Sequence, residues 1–167
     1  MSPSKKLTFI KTFTHVHHCL DNLFLEHQVL LMRNDFDNAL KVVNELCLKY
    51  EQHILDEESV LIPAYQNFVK PIPQGGAVNF FLREHTQIMH ILSEAKTEIK
   101  NWVNESKFTP TKMVSLFDRY YSLRDLLNHH HAREDTFLYR LLDRNTEHSI
   151  QQKIIEKIVL LPQKAGK

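Results

Sequence analysis

Residues that interrupt helices are scarce in this chain: three glycines and six prolines in 167 residues. Glycine and proline are the costliest residues inside a helix, so long unbroken helices are the natural reading. Cysteine is nearly absent. Cys19 and Cys47 form neither a close pair nor a framework of bridges, and a reducing cytoplasm is the expected compartment. No apolar run approaches the roughly 20 residues of a membrane span, and Met1 to Lys6 lack the apolar core of a signal peptide. Charge of one sign is missing too. Lys and Arg number 21 and Asp and Glu 20, a net charge of +1, so no nucleic-acid or membrane footprint is expected. What is present is ordinary for one globular domain over 1–167, with 43% hydrophobic and 25% charged residues. Eleven histidines are the one compositional oddity.

Apolar residues recur at alternating steps of three and four, the helical signature. Four stripes stand out. They run from Ile10 through Phe13, His17, Leu20, Phe24 and His27 to Leu31; from Val43 through Leu46, Tyr50, His53, Glu57 and Val60 to Ala64; from Phe81 through His85, Ile88, Leu92, Ala95 and Ile99 to Trp102; and from Met113 through Leu116, Tyr120, Leu123, Leu127, His130, Glu134 and Phe137 to Leu141. Histidine interrupts every stripe, and glutamate interrupts two. Asn34-Asp35 reads as a stop followed by an N-cap, Pro71 to Gly76 as a loop, and Thr109-Pro110 as an N-cap with proline at the first helical position. The pattern predicts an all-α, up-down-up-down four-helix bundle over about residues 8–143, with a short extra helix at about 148–161 that Pro162 ends.

Two segments repeat one another. His53 to Ile62 and His130 to Tyr139 both read His-x-x-x-Glu-acid-x-x-Leu-large. Residues four apart lie on one helical face, so each copy presents an imidazole beside a carboxylate. Antiparallel neighbours place residues at one depth when those residues are symmetric about the connecting loop. His17 and His53 are symmetric about Asp35, Glu57 and His85 about Pro71, and His85 and His130 about the break between Glu105 and Pro110. His17, His53, Glu57, His85, His130 and Glu134 therefore converge at one level. His27 misses that level by about 15 Å of helix and reads as a core histidine. His18 shares the level but lies about 100° off the stripe, and His15 is off it too, so His17 is preferred with His18 in reserve.

Burying carboxylates without partners costs several kcal/mol each. A histidine–glutamate hydrogen-bond network or bound metal relieves that cost, and the repeated spacing favours metal. No cysteine shares the level, which argues against structural zinc. Imidazoles with carboxylates suit iron, manganese or zinc, and two carboxylates placed to bridge favour two iron ions. The ferritin-like alternative needs Glu-x-x-His twice; the chain has none.

The stretches Glu51 to Pro63, Arg83 to Ile88 and His129 to Tyr139 resemble the hemerythrin-like, or HHE cation-binding, family over roughly residues 10 to 143. The resemblance implies a four-helix bundle with a non-haem di-iron centre, each half supplying one histidine and then a histidine–glutamate pair. On this chain those are His17, His53 and Glu57, then His85, His130 and Glu134. Oxygen-carrying hemerythrins have a further histidine four residues after the third-helix ligand. Met89 stands there, with His90 one step round. They also use His-x-x-x-x-Asp in the last helix, a spacing that His130 and Asp135 satisfy. Glu134 is preferred because it matches Glu57 and lies on the stripe. The missing histidine implies an open coordination position, which favours reactivity or sensing over reversible carriage. The expected function is binding or sensing of oxygen, peroxide, nitric oxide or iron itself, in a stress role. The alternatives are a di-iron oxidase or peroxidase with an organic substrate, and a metal-free regulatory interaction module. No protein partner can be read from the chain.

Overall fold

The computed structural model describes residues 8–105 and 107–158, and no strand occurs among them. The helices are α1 (Phe9–Met32), α2 (Phe36–Asp56), α3 (Ile62–Phe68), α4 (Val78–Glu105), α5 (Pro110–Arg133), α6 (Arg140–Asn145) and α7 (His148–Ile155). α2 runs into α3 through a π-helical segment, Glu57–Leu61, and α5 runs into α6 through another, Glu134–Tyr139. The result is four long helical stretches and a short last one.

The helix ends follow from local chemistry. Thr8 and Asp35 cap α1 and α2, each accepting from a backbone N–H three residues on, and Asn34 takes a left-handed φ of 57° between the two helices. Thr109 caps α5 ahead of Pro110. The start of α1 has a second acceptor. Asp143 of α6 takes the N–H of Phe9 at 2.8 Å and that of Ile10 at 3.2 Å, a carboxylate at the positive end of a helix.

α1 packs on α2, α2 on α4 and α4 on α5, while α6 and the second π segment return to α1. Phe13, Leu20, Leu46, Tyr50, Ile88, Leu92, Leu116, Leu123 and Leu138 are among the fully covered residues between them. Each such side chain contributes about 1.5–3 kcal/mol by burial. The α4 stripe is buried from Phe81 to Trp102 at every position read from the sequence.

Two stripes depart from the reading after their glutamates. Val60, Ala64, Phe137 and Leu141 are only half-buried, and the core instead takes Leu61, Ile62 and Tyr65, then Leu138, Tyr139 and Leu142. A π turn inserts one residue into the helical repeat, so the buried face moves on by one position. α7 also ends earlier than expected, at Ile155. There Lys157 and Ile158 bond back three residues, which brings Ile158 into the core. The expected stop at Pro162 lies outside the described residues.

Candidate metal centre

His17 on α1, His53 on α2, His85 on α4 and His130 on α5 meet the two glutamates that open the π segments, Glu57 and Glu134. All six are between 0% and 5% exposed. His17 Nε2 lies 3.2 Å from His53 Nε2 and 3.2 Å from Glu134 Oε2. His85 Nε2 lies 3.1 Å from Glu57 Oε2 and 3.6 Å from Glu134 Oε1. His130 Nε2 is 2.8 Å from Glu134 Oε1, and His53 Nε2 is 3.7 Å from Glu57 Oε2. Each carboxylate thus touches imidazoles from both halves of the repeat.

The ligand atoms converge, but only some of them are paired: His17 Nε2 and His53 Nε2 are within hydrogen-bond distance. Glu57 Oε2, His85 Nε2 and both Glu134 oxygens are fully buried, yet none makes a hydrogen bond of normal geometry. Ligand atoms of Glu57, His85, His130 and Glu134 all lie within 4.8 Å of one another, as do those of His17, His131 and Glu134. Two ligand nitrogens bound to one ion at about 2.1 Å stand about 3.0 Å apart at an octahedral right angle and about 3.4 Å apart in a tetrahedron. The His17–His53 separation of 3.2 Å falls between these. This buried group could hold a metal ion.

Outer carboxylates aim the imidazoles. His85 Nδ1–H donates to Glu58 at 2.8 Å, and His130 Nδ1–H donates to Glu84 at 3.1 Å. The acceptors fix the tautomer and leave each Nε2 lone pair facing inward. Arg133 anchors Glu84 with contacts of 3.0 and 3.3 Å and also donates to the Gly75 carbonyl at 2.9 Å. That loop must approach closely: a Cβ on Gly75 would lie 2.7 Å from the Phe137 ring. The Tyr139 hydroxyl donates to Glu57 Oε1 and lies 3.3 Å from His17 Nε2.

Burial disfavours the charged form of every one of these groups, and the neighbours decide which resist. For His85, contact with Glu134 and Glu57 outweighs burial and raises the pKa to about 10. For His130, Glu134 and Glu84 do the same, to about 9. His17 is raised against burial by Glu134. Burial, with the Glu134 charge, lifts Glu57 to about 7. Glu134 is held well below its usual value despite burial because His130, His17 and His85 surround it. Burial and the adjacent His17 push His53 well down.

All six residues singled out from the sequence stand together. His18 is exposed on the outer face of α1, and Asp135 is half-buried beside the cluster without joining either group of convergent ligand atoms. Met89 is half-buried against the core, and His90 faces solvent with Glu94 3.5 Å away. His27 is a satisfied core residue: its Nδ1 lies 2.9 Å from the Ala39 carbonyl and its Nε2 2.7 Å from the Tyr120 hydroxyl. The sequence reading missed Glu58, Glu84, His131 and Tyr139. Glu58 and Tyr139 lay inside the repeated motif, in its acid and final large positions. Glu84 and His131 lay beside expected ligands. No family model matches the chain, and neither curated proteins nor solved structures give a match.

Proposed function

We propose that the chain is a hemerythrin-like protein, an up-down-up-down four-helix bundle around two non-haem iron ions. In this reading it binds or senses a small ligand: oxygen, peroxide, nitric oxide or iron itself. The observation that carries the reading is the convergence of buried ligand atoms, of which Glu57 Oε2, His85 Nε2 and both Glu134 oxygens make no hydrogen bond of normal geometry. His17 and His53 would hold one ion and His85 and His130 the other, with Glu57 and Glu134 as their carboxylate ligands. Bound iron would supply a redox couple and an exchangeable coordination position. The chain's own groups do the rest. Glu58 and Glu84 orient imidazoles, Arg133 anchors Glu84, Tyr139 holds the Glu57 carboxylate, and the apolar shell excludes water.

Near-complete burial of the six groups supports a small ligand over an organic substrate, which would need an opening beside them. A metal-free interaction module would leave the same polar atoms unpaired, at about 1–3 kcal/mol for each. The test is to load the protein with ferrous iron without oxygen, then admit oxygen or nitric oxide while recording the optical spectrum. New near-ultraviolet and visible bands are expected. An unchanged spectrum with both gases, in protein shown to contain iron, would contradict the small-ligand reading.

A further inference from the structure

The contacts behind His130 are not repeated behind His53. His130 Nδ1–H donates to Glu84 at 3.1 Å. Glu84 takes the Arg133 guanidinium at 3.0 and 3.3 Å, and Arg133 donates to the Gly75 carbonyl at 2.9 Å. The guanidinium also lies over the Phe80 ring, 4.8 Å from its centroid. It is thereby held between α4 and loop 69–77, which joins α3 to α4. The next carbonyl of that loop, Gly76, accepts from the buried Tyr65 hydroxyl at 3.1 Å. Phe137 completes the contact. Its ring fills the space that a Cβ on Gly75 or Gly76 would need, and it belongs to the π segment that opens on Glu134. The first half of the repeat has Val16 where the second has Glu84, and Asp56 where the second has Arg133.

We infer that Arg133 is a positioning residue that couples loop 69–77 to His130, so that the loop governs exchange of metal at the cluster. This rests on the metal reading above and deepens it. The six ligands are between 0% and 5% exposed, so an ion enters or leaves only when something opens. Helices with a packed core open reluctantly, whereas a loop tied down by side-chain hydrogen bonds opens first. Here those ties come from Arg133 and Tyr65. When the Gly75 carbonyl leaves Arg133, the guanidinium loses a partner that fixes it. Glu84 then loosens, and the His130 imidazole is free to turn. In the other direction, a His130 ring fixed by metal holds Glu84, Arg133 and the loop in place. The coupling is reciprocal, as linkage requires.

The test loads the protein with cobalt(II) and follows two signals. One is loss of the cobalt bands to excess chelator. The other is hydrogen exchange of the Gly76 amide, which donates to the Pro73 carbonyl at 2.9 Å. Tyr65→Phe removes the hydroxyl that holds Gly76. It should speed metal release about 2- to 10-fold, the scale of one neutral hydrogen bond, with affinity nearly unchanged because uptake speeds as well. Arg133→Ala should speed release about 10- to 100-fold, the scale of a hydrogen bond to a charged group. Guanidinium ion, added below denaturing concentration, should slow it again. Bound cobalt should slow Gly76 exchange about fivefold or more in the unaltered protein. In Glu84→Ala, where the link is cut, it should not. Circular dichroism of each metal-free variant checks the fold. An unaltered release rate in either folded variant, or Gly76 exchange indifferent to cobalt in the unaltered protein, would overturn the inference and leave the metal reading standing. No cobalt bound by the unaltered protein would overturn both.

Discussion

At the residue scale, Glu134 and Asp135 separate two ways of reading one motif. Glu134 is fully buried and meets His17, His85 and His130, whereas Asp135 stands beside the cluster. Glu134→Ala should therefore lose at least one ion per chain by elemental analysis, and Asp135→Ala should lose none. The reverse ranking would mean that the last helix follows the oxygen-carrier spacing. Glu84→Ala should keep both ions but weaken the His130 ion about 10- to 100-fold, because only the orientation of the ligand is lost. His27 makes a different case. His27→Ala should destabilise the fold by about 3 kcal/mol, through lost volume and an unpaired Tyr120 hydroxyl and Ala39 carbonyl, and leave metal content intact. The six convergent residues were legible because each sits on an apolar stripe and at a mirrored position. His131 was not legible. It lies one step off the stripe, on a helix that carries three consecutive histidines near its end, and only the packing of α1 against that region shows which of them faces inward.

At the element scale, the π segments are the feature that periodicity could not show. A step pattern of three and four continues through an inserted residue with no visible break, so the buried face past Glu57 and Glu134 was assigned one position early. The structure puts a π segment at the same place in both copies of the repeat, each opening on the glutamate. Such insertions are uncommon and recur at functional sites. Deleting the exposed Ser59 should convert the first segment to regular α-helix. Leu61, Ile62 and Tyr65 would then occupy core positions in an unbroken helical repeat. Helicity and melting temperature should be retained, while metal affinity falls because Glu57 and Glu58 are re-aimed. Undiminished metal binding in the deletion variant would show that the insertion does not serve the site.

At the scale of the whole molecule, protons and metal compete for the same atoms. His85 at about 10 and His130 at about 9 lie above the unfolded value of 6.5. Their contribution to the stability of metal-free protein is fully present below pH 6.5 and is lost as pH rises through 9 to 10. Glu57, raised to about 7, contributes fully below pH 4.5 and loses that contribution as pH rises through 7. His27, lowered to about 4, acts on the other side: its contribution is present above pH 6.5 and lost as pH falls toward 4. Metal-free protein should therefore melt highest in mildly acid buffer and lower at pH 9. Metal needs neutral imidazoles and charged carboxylates, so its affinity should rise with pH across 7 to 9, with at least two protons released per chain at pH 7. Melting curves with and without chelator should diverge as pH rises; parallel curves would mean that the titrating cluster and the metal site are different places. No described helix is long and apolar enough to cross a membrane.

The central claim is that this cluster holds two iron ions, and elemental analysis of protein produced with iron available tests it most directly. The account predicts two irons per chain in the unaltered protein, with at least one lost in Glu57→Ala and in Glu134→Ala. One tightly bound zinc and no iron, or a metal content that neither substitution changes, would contradict it.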